Sequence, residues 1–161
     1  MGRKWSYSTY GKSALGISVN LTGLDKYLEK IQAAGNSIND ACKDAVNAAL
    51  PIVEKSMKAG AERHRRTGDV VNAIETVPAK QEGNYIYGTV GIDMEKHPEA
   101  KEGVFQEYGD GHSPEFPDPF VRPAIDDNQK TVKKIMRGVL KKRGVPIDGA
   151  EGYAAADNPG R

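Results

Sequence analysis

The sequence has one cysteine, Cys42, among its 161 residues. A single thiol excludes a disulfide within the chain and any metal site that needs several cysteines. Histidine is also scarce, because only His64, His97 and His112 occur, and no two of them have the spacing of a compact metal-ligand motif. We therefore expect no bound metal and no cofactor.

Long apolar runs are missing as well, since none approaches the roughly 20 residues of a membrane-spanning helix. The first residues lack the apolar core of a secretory signal. The formal net charge is only +1, so a nucleic acid or a membrane surface would have to be recognised by a local patch. Neither a glycine-rich phosphate loop nor a GxSxG elbow is present. These absences predict a protein that folds in a cytosol, binds no membrane and is not an enzyme.

The hydrophobic content of 38% is enough for one domain with a real core. We expect that domain at residues 14–142, between a flexible segment at 1–13 and a disordered tail at 143–161. The order of patterns is strand, long helix, two or three strands, helix. This order predicts an α+β fold, with a small antiparallel sheet of three to four strands, one long kinked helix and a C-terminal helix packed against it.

Two segments show the two-residue alternation of strands. Residues 14–21 alternate apolar residues with small or polar ones, and residues 85–92 alternate most clearly. Residues 70–74 fit a short helix or the start of a strand, and we favour a helical turn that leads into a strand at 75–79. A turn at 81–84 would then join two strands of a hairpin.

A long helix is predicted from Leu24 to about Gly60, because apolar residues recur there every three or four positions. Cys42 lies on this stripe and is interpreted as a small core residue. Gly35 is a point at which the helix could divide. Pro51 predicts a kink, because proline lacks an N–H donor and crowds the preceding turn.

The last predicted helix runs from about Arg122 to Lys142 and has two distinct faces. Its apolar face comprises Val132, Ile135, Met136 and Val139. Its opposite face, here called the basic patch, is either a solvated surface or a stripe that contacts phosphates, aided by an arginine-rich segment at 63–66. The basic patch comprises Lys130, Lys133, Lys134, Arg137 and Lys141.

Residues 104–126, VFQEYGDGHSPEFPDPFVRPAID, form the most unusual stretch of the chain. Four prolines and two glycines leave its backbone few conformations, which suits a docking surface better than a flexible linker. Its aromatic residues could anchor the fold, line an interface or stack on bases. Its carboxylates Glu107, Asp110, Glu115 and Asp118 leave a small enzyme or metal protein open as an alternative, although their spacing matches no calcium loop.

Four motifs in this order resemble one known family. They are Gly23-Leu24 opening the long helix, Arg66-Thr67-Gly68 before a short apolar segment, an aromatic strand leading to Glu107-Tyr108-Gly109, and Pro119-Phe120-Val121-Arg122-Pro123-Ala124 opening the last helix. Together they cover roughly residues 15–142. The family is that of the minor tail components, or tail-completion proteins, of long-tailed bacteriophages (the gene-product-ten-like family of siphophages).

The resemblance implies a structural virion protein at the head–tail junction. Such a neck protein would form a ring with itself, with six subunits, and would contact the head–tail connector and the tail tube proteins. It would assemble in the cytoplasm of the bacterial host, and nucleic acid is not its expected partner. We assign its subunit or partner interface to Glu107, Tyr108, Pro119, Phe120 and Arg122, with Phe120 buried and Arg122 paired with a carboxylate. The alternative function is a nucleic-acid-binding module that uses the basic patch.

Overall fold

The structure, a computed structural model, describes residues 14–20, 37–83, 85–145 and 147. The α+β class predicted from the sequence is confirmed. The buried apolar side chains of the described residues form one cluster. The elements are β1 (Ala14–Asn20), α1 (Ser37–Glu62), α2 (Asp69–Asn72), β2 (Ile74–Glu82), β3 (Tyr85–Asp93), a short 3-10 helix (Pro98–Lys101), α3 (Glu102–Tyr108), α4 (Val121–Asp126) and α5 (Gln129–Lys142).

The sheet is antiparallel, with β3 between β1 and β2. The predicted hairpin of β2 and β3 is confirmed, and so is the helical turn that leads into β2. The β2 strand extends beyond its predicted end, to Glu82. Its register shifts between Val77 and Lys80, around the exposed Pro78, and the pairing then continues. Proline has no N–H to give to the ladder, so it is tolerated where the pairing is interrupted. The N–H of Ala79 donates instead to the Asn47 side chain of α1, at 2.7 Å.

The α1 helix supplies most of the core opposite the sheet. Cys42 is buried, as predicted, and the apolar face continues towards the C-terminal end of the helix as far as Ala61. The helix packs tightly on the sheet at Gly88 of β3, where an added Cβ would lie 2.7 Å from a methyl group of Leu50. The helix continues through Pro51 without a break, and the kink stays a prediction. The predicted part of this helix at residues 24–36 lies outside the described residues.

The prediction of one continuous last helix is wrong, because the structure has two helices, α4 and α5, in its place. The break follows a run of short polar residues, Asp126, Asp127 and Asn128, which compete with helix geometry by bonding to nearby backbone groups. The side chain of Asn128 donates to the carbonyl of Ala124 at 3.0 Å. The apolar face of α5 is as predicted, with Val132 and other residues buried against α1.

The packed part of the chain continues beyond residue 142, where a disordered tail was predicted to begin. The N–H of Gly144 donates to the carbonyl of Lys141, and the N–H of Val145 donates to that of Leu140, both at 3.0 Å. Gly144 has a positive φ of 75°, so these bonds form a Schellman motif that ends α5. Val145 is buried in the core. The predicted flexible segment at 1–13 and the rest of the tail, at 148–161, lie outside the described residues.

Candidate interaction surface

The segment that leads into the proline-rich loop is helical. The charged stretch at 93–103 contains the 3-10 helix, and α3 begins at Glu102. Helix α3 is only seven residues long, which is about two turns. Some of its side chains face the interior and others face outward. Gly103, Gln106 and Glu107 face the interior, whereas Phe105 and Tyr108 face outward. One short helix therefore holds the loop on one side and presents aromatic rings on the other.

The Glu107 carboxylate is the centre of this arrangement. It is 1% exposed, and its Oε2 accepts hydrogen bonds from the backbone N–H groups of Phe120 at 2.8 Å and Val121 at 2.9 Å. Its Oε1 accepts from the backbone N–H of Arg122 at 3.4 Å and from the Arg122 Nε at 3.2 Å. These backbone groups belong to the start of α4, where they have no partner within the helix. Glu107 thus caps a helix that begins fourteen residues later in the chain, at Val121.

Phe120 lies beneath the loop in a space left by two glycines. Its side chain is 1% exposed. A Cβ added to Gly60 of α1 would lie 2.7 Å from the Phe120 Cβ, and one added to Gly103 of α3 would lie 3.5 Å from the tip of the ring. The predicted burial of Phe120 is confirmed, and its neighbours include the C-terminal end of α1.

The loop is also tied to the end of α1 by polar groups. The Gln106 side chain donates to the Gly60 carbonyl at 3.1 Å, and the Gln106 carbonyl accepts from the Asp118 N–H at 2.9 Å. The Arg63 guanidinium donates to both carboxylate oxygens of Asp118, at 2.7 and 2.8 Å, and to the Pro119 carbonyl at 3.0 Å. The arginine at the end of α1 therefore fixes the last residues before α4.

Two further acids of the loop have structural partners inside the chain. The Arg63 guanidinium lowers the pKa of Asp118, with a smaller contribution from the hydrogen bond of His64 at 2.8 Å. Hydrogen bonds from the Ser113 hydroxyl and from the backbone N–H groups of Ser113 and His112 lower the pKa of Asp110 to about 2. Both groups therefore hold the loop in shape as carboxylates.

The outward side of this region is aromatic. Phe105 is 44% exposed and Tyr108 is 59% exposed. They are three positions apart on a helix and so lie on one face. The Arg122 guanidinium lies 5.9 Å from the centre of the Tyr108 ring. Of the five residues predicted for the interface, Glu107 and Phe120 are buried, Pro119 is half-buried, and Tyr108 and Arg122 are exposed.

The histidines and acids do not gather into a metal-binding group in the described part of the chain, where no cluster of three or more such side chains was found. His64 bonds to Asp118, and its ring lies at a tilt of 59° to the Phe116 ring with the centroids 5.0 Å apart, while His97 bonds to Glu99. None of the described helices is long and apolar enough to cross a membrane.

Four lysines of the basic patch are exposed on α5, whereas Arg137 is half-buried. Within the described residues, none of the four forms an ion pair. The sequence does not reveal that Gly60, Arg63 and Gln106 hold the loop. The arginine-rich segment at 63–66 is the one local signal, and it fits a phosphate contact equally well.

Comparisons with known proteins found no matching family model, no matching curated protein and no matching solved structure.

Proposed function

We propose that this protein is a structural subunit of a bacteriophage head–tail junction, a tail-completion or neck subunit that joins the tail tube to the head connector. It acts without catalysis. It forms a closed ring of identical subunits, with six as the expected number, in the virion after assembly in the host cytoplasm. The four sequence motifs that resemble tail-completion proteins support the proposal, and the geometry of the region between α3 and α4 supports it further.

The observation that carries the proposal is the buried Glu107 carboxylate, which shapes the loop while Phe105 and Tyr108 stay exposed beside it. A surface that is already fixed before binding loses little conformational entropy on contact. Aromatic residues and arginine are also the residues most enriched at the centres of protein interfaces. Phe105, Tyr108 and Arg122 therefore form a surface suited to a protein partner.

Ring formation follows from repeating one contact. When a patch on one subunit binds a different patch on the next, identical contacts generate either a closed ring or an open filament. The exposed rings of α3 lie on one side of the subunit's own loop, which leaves the opposite surfaces for the other half of the contact. A chain of this size with a rigid loop suits that kind of assembly.

Light scattering over a concentration series, followed by negative-stain electron microscopy, tests the proposal. We expect a discrete ring that the double exchange Phe105→Ser with Tyr108→Ser disrupts without lowering the melting temperature. Tyr85→Ser is the matched control, because Tyr85 is 64% exposed at the far end of β3 and is not part of this surface. A chain that stays monomeric at every concentration, or a ring that survives the double exchange, would contradict the proposal.

The exposed lysines of α5, which form no ion pair with a described residue, favour one second candidate, a nucleic-acid-binding module. Contacts to phosphates release bound counterions, so the affinity would fall steeply with salt. Fluorescence anisotropy of labelled duplex DNA, at low and moderate salt, distinguishes this candidate. Binding that exchanges of Lys133 and Lys134 abolish would support it, and no binding at low salt would exclude it.

A further inference from the structure

Charge is distributed very unevenly along this nearly neutral chain. Helix α5 contains six lysines and arginines and no aspartate or glutamate. Residues 93–118 contain eight aspartates and glutamates against two lysines. The net charge of +1 therefore conceals two regions of opposite sign, one at the C-terminal helix and one around α3.

The lysines of the positive region have no oppositely charged partner among the described residues. Lys130, Lys133, Lys134, Lys141 and Lys142 are all exposed, and none forms an ion pair with a described residue. Such a row of like charges raises the energy of the isolated subunit through mutual repulsion. A negatively charged partner outside the subunit would relieve that repulsion.

The negative region is only partly neutralised. Its exposed acids, here called the acidic surface, are Glu95, Glu99, Glu102 and Glu115. Glu99 bonds to a histidine, and Glu102 lies 3.9 Å from an exposed arginine, Arg66. Glu95 and Glu115 form no ion pair among the described residues.

Exposed aromatic rings lie between these acids in the chain. Phe105 and Tyr108 follow Glu99 and Glu102 and precede Glu115. An apolar centre with a charged rim is the usual anatomy of a protein interface. Lysine suits such a surface, because its carbon stem covers apolar area while its ammonium group reaches a carboxylate or the face of an aromatic ring.

We propose that the basic patch of one copy of this chain binds the acidic surface and the aromatic rings of a second copy, head to tail. Among the described residues, no ion pair joins the lysines of the basic patch to the acidic surface, so these lysines and the acids Glu95 and Glu115 stay available for a neighbour. The contact joins two different patches. An open chain of subunits therefore has an unused basic patch at one end and an unused acidic surface at the other, until a ring closes. This inference rests on the proposed ring function and names the residues of the contact between subunits.

A second copy accounts for more of the molecule than DNA does. A nucleic acid would explain the basic patch, but it would leave the acidic surface and its exposed rings without a partner. A second copy accounts for both regions, because they carry charge of opposite sign. DNA binding is retained as an outcome of the test.

Two charge-reversed variants of the full chain test the inference. The first carries Lys133→Glu with Lys134→Glu, and the second carries Glu95→Lys with Glu115→Lys. All four positions are exposed, so both variants should fold, which circular dichroism would confirm. Each variant alone should self-associate at least about tenfold more weakly than the wild type, because like charges would then face each other. Sedimentation velocity at low salt measures this.

An equimolar mixture of the two variants is the decisive sample. In the mixture each reversed patch meets an oppositely charged patch on the other variant, so we expect association to return. Lys134→Glu alone is compared with Lys55→Glu, which makes the same charge change at an exposed position of α1 and should have no effect. Moderate salt should weaken the wild-type contact, since it screens charges beyond about 10 Å at 0.1 M.

The outcomes separate this inference from the proposed function. A ring that persists in both variants would overturn the charge contact and keep the ring. Open filaments that dissolve in each variant and return in the mixture would keep the contact and reject the closed ring. A monomeric wild type would overturn both. In a last outcome, labelled DNA binds the wild type and the second variant but not the first, and the mixture does not associate. That outcome would make nucleic acid, and not a second copy, the partner of the basic patch.

Discussion

The Oε2 atom of Glu107 accepts a hydrogen bond from the backbone N–H of Phe120 at 2.8 Å, and both residues are 1% exposed. The Glu107 side chain of α3 thus caps the start of α4, and the ring of Phe120 fills the space beneath the loop. The polar contact satisfies backbone donors that burial would otherwise leave unpaired. The apolar contact fixes the position from which they donate. The shape of the loop depends on the two contacts together.

Replacing Glu107 with glutamine should destabilise the fold by about 2 kcal/mol, since hydrogen bonds to a charged acceptor are the stronger kind. The glutamine keeps the size of the side chain but turns an NH₂ group towards backbone N–H donors. Urea unfolding followed by circular dichroism measures the effect. Glu102→Gln is the control, because Glu102 lies on the same helix but is exposed, and it should change the unfolding free energy by less than about 0.5 kcal/mol. Equal effects would show that Glu107 is not the organising group.

Gly60→Ala should lower the unfolding free energy by about 1–3 kcal/mol, the usual cost of overpacking. The new Cβ would lie 2.7 Å from the Phe120 Cβ and 3.2 Å from its Cα, so a backbone would have to move. Gly138→Ala provides the opposite case, because an added Cβ there meets nothing within 4 Å. That exchange in α5 should stabilise by up to about 1 kcal/mol through helix propensity. Thermal unfolding of both variants measures the difference, and equal shifts would contradict the close contact.

The sequence predicted the hairpin and the apolar faces of α1 and α5, because alternation and helical spacing are local signals. It did not predict that Glu107 would cap α4. That contact joins residues thirteen positions apart and depends on the packing of Phe120 against α1. The break between α4 and α5 could have been found, since Asp126, Asp127 and Asn128 stand together. The pairing of Arg63 with Asp118 spans 55 positions, which no local pattern reveals.

Phe120→Ala should destabilise the protein by about 3 kcal/mol or more, the usual cost of removing a buried phenylalanine ring. The removed ring would leave a cavity between α1 and α3, because Gly60 and Gly103 offer no side chain to fill it. Urea unfolding measures the loss of unfolding free energy. The slope of that free energy against urea concentration should stay unchanged. Phe105→Ala is the control, because Phe105 is 44% exposed. A small change in melting for Phe120→Ala would refute the packing described for its ring.

Arg122→Ala should weaken assembly more than folding. Its side chain is 46% exposed, and the buried Glu107 carboxylate keeps its backbone donors in the variant, so losing the ion pair should cost only about 1 kcal/mol of stability. The guanidinium also lies against the exposed Tyr108 ring, a position typical of an interface hot spot, and its loss should weaken self-association by about tenfold. Melting and sedimentation of the same sample separate the two effects. Lost folding with unchanged assembly would contradict the assignment.

The contact of Arg63 with Asp118 should make stability depend on pH in acid. Arg63 lowers the pKa of Asp118 in the folded protein, whereas the unfolded value is about 3.9. The folded state therefore binds fewer protons in this range, so the contribution is complete above the unfolded value and is lost as the pH falls through the folded value. The pair is partly exposed, which limits the contribution to about 1 kcal/mol.

Asp118→Asn tests this sign directly, because asparagine keeps the shape of the side chain but does not titrate. The wild type should be more stable than the variant at pH 5, and the difference should shrink steadily as the pH falls towards 2. Urea unfolding at half-unit steps of pH measures it. Arg63→Gln gives the matching control, because without the guanidinium the Asp118 pKa should return towards its usual value, which carbon NMR of the carboxyl group would record. A difference that stays constant with pH would mean that Asp118 holds the loop through its shape and neutral hydrogen bonds, and that the charge of Arg63 contributes nothing.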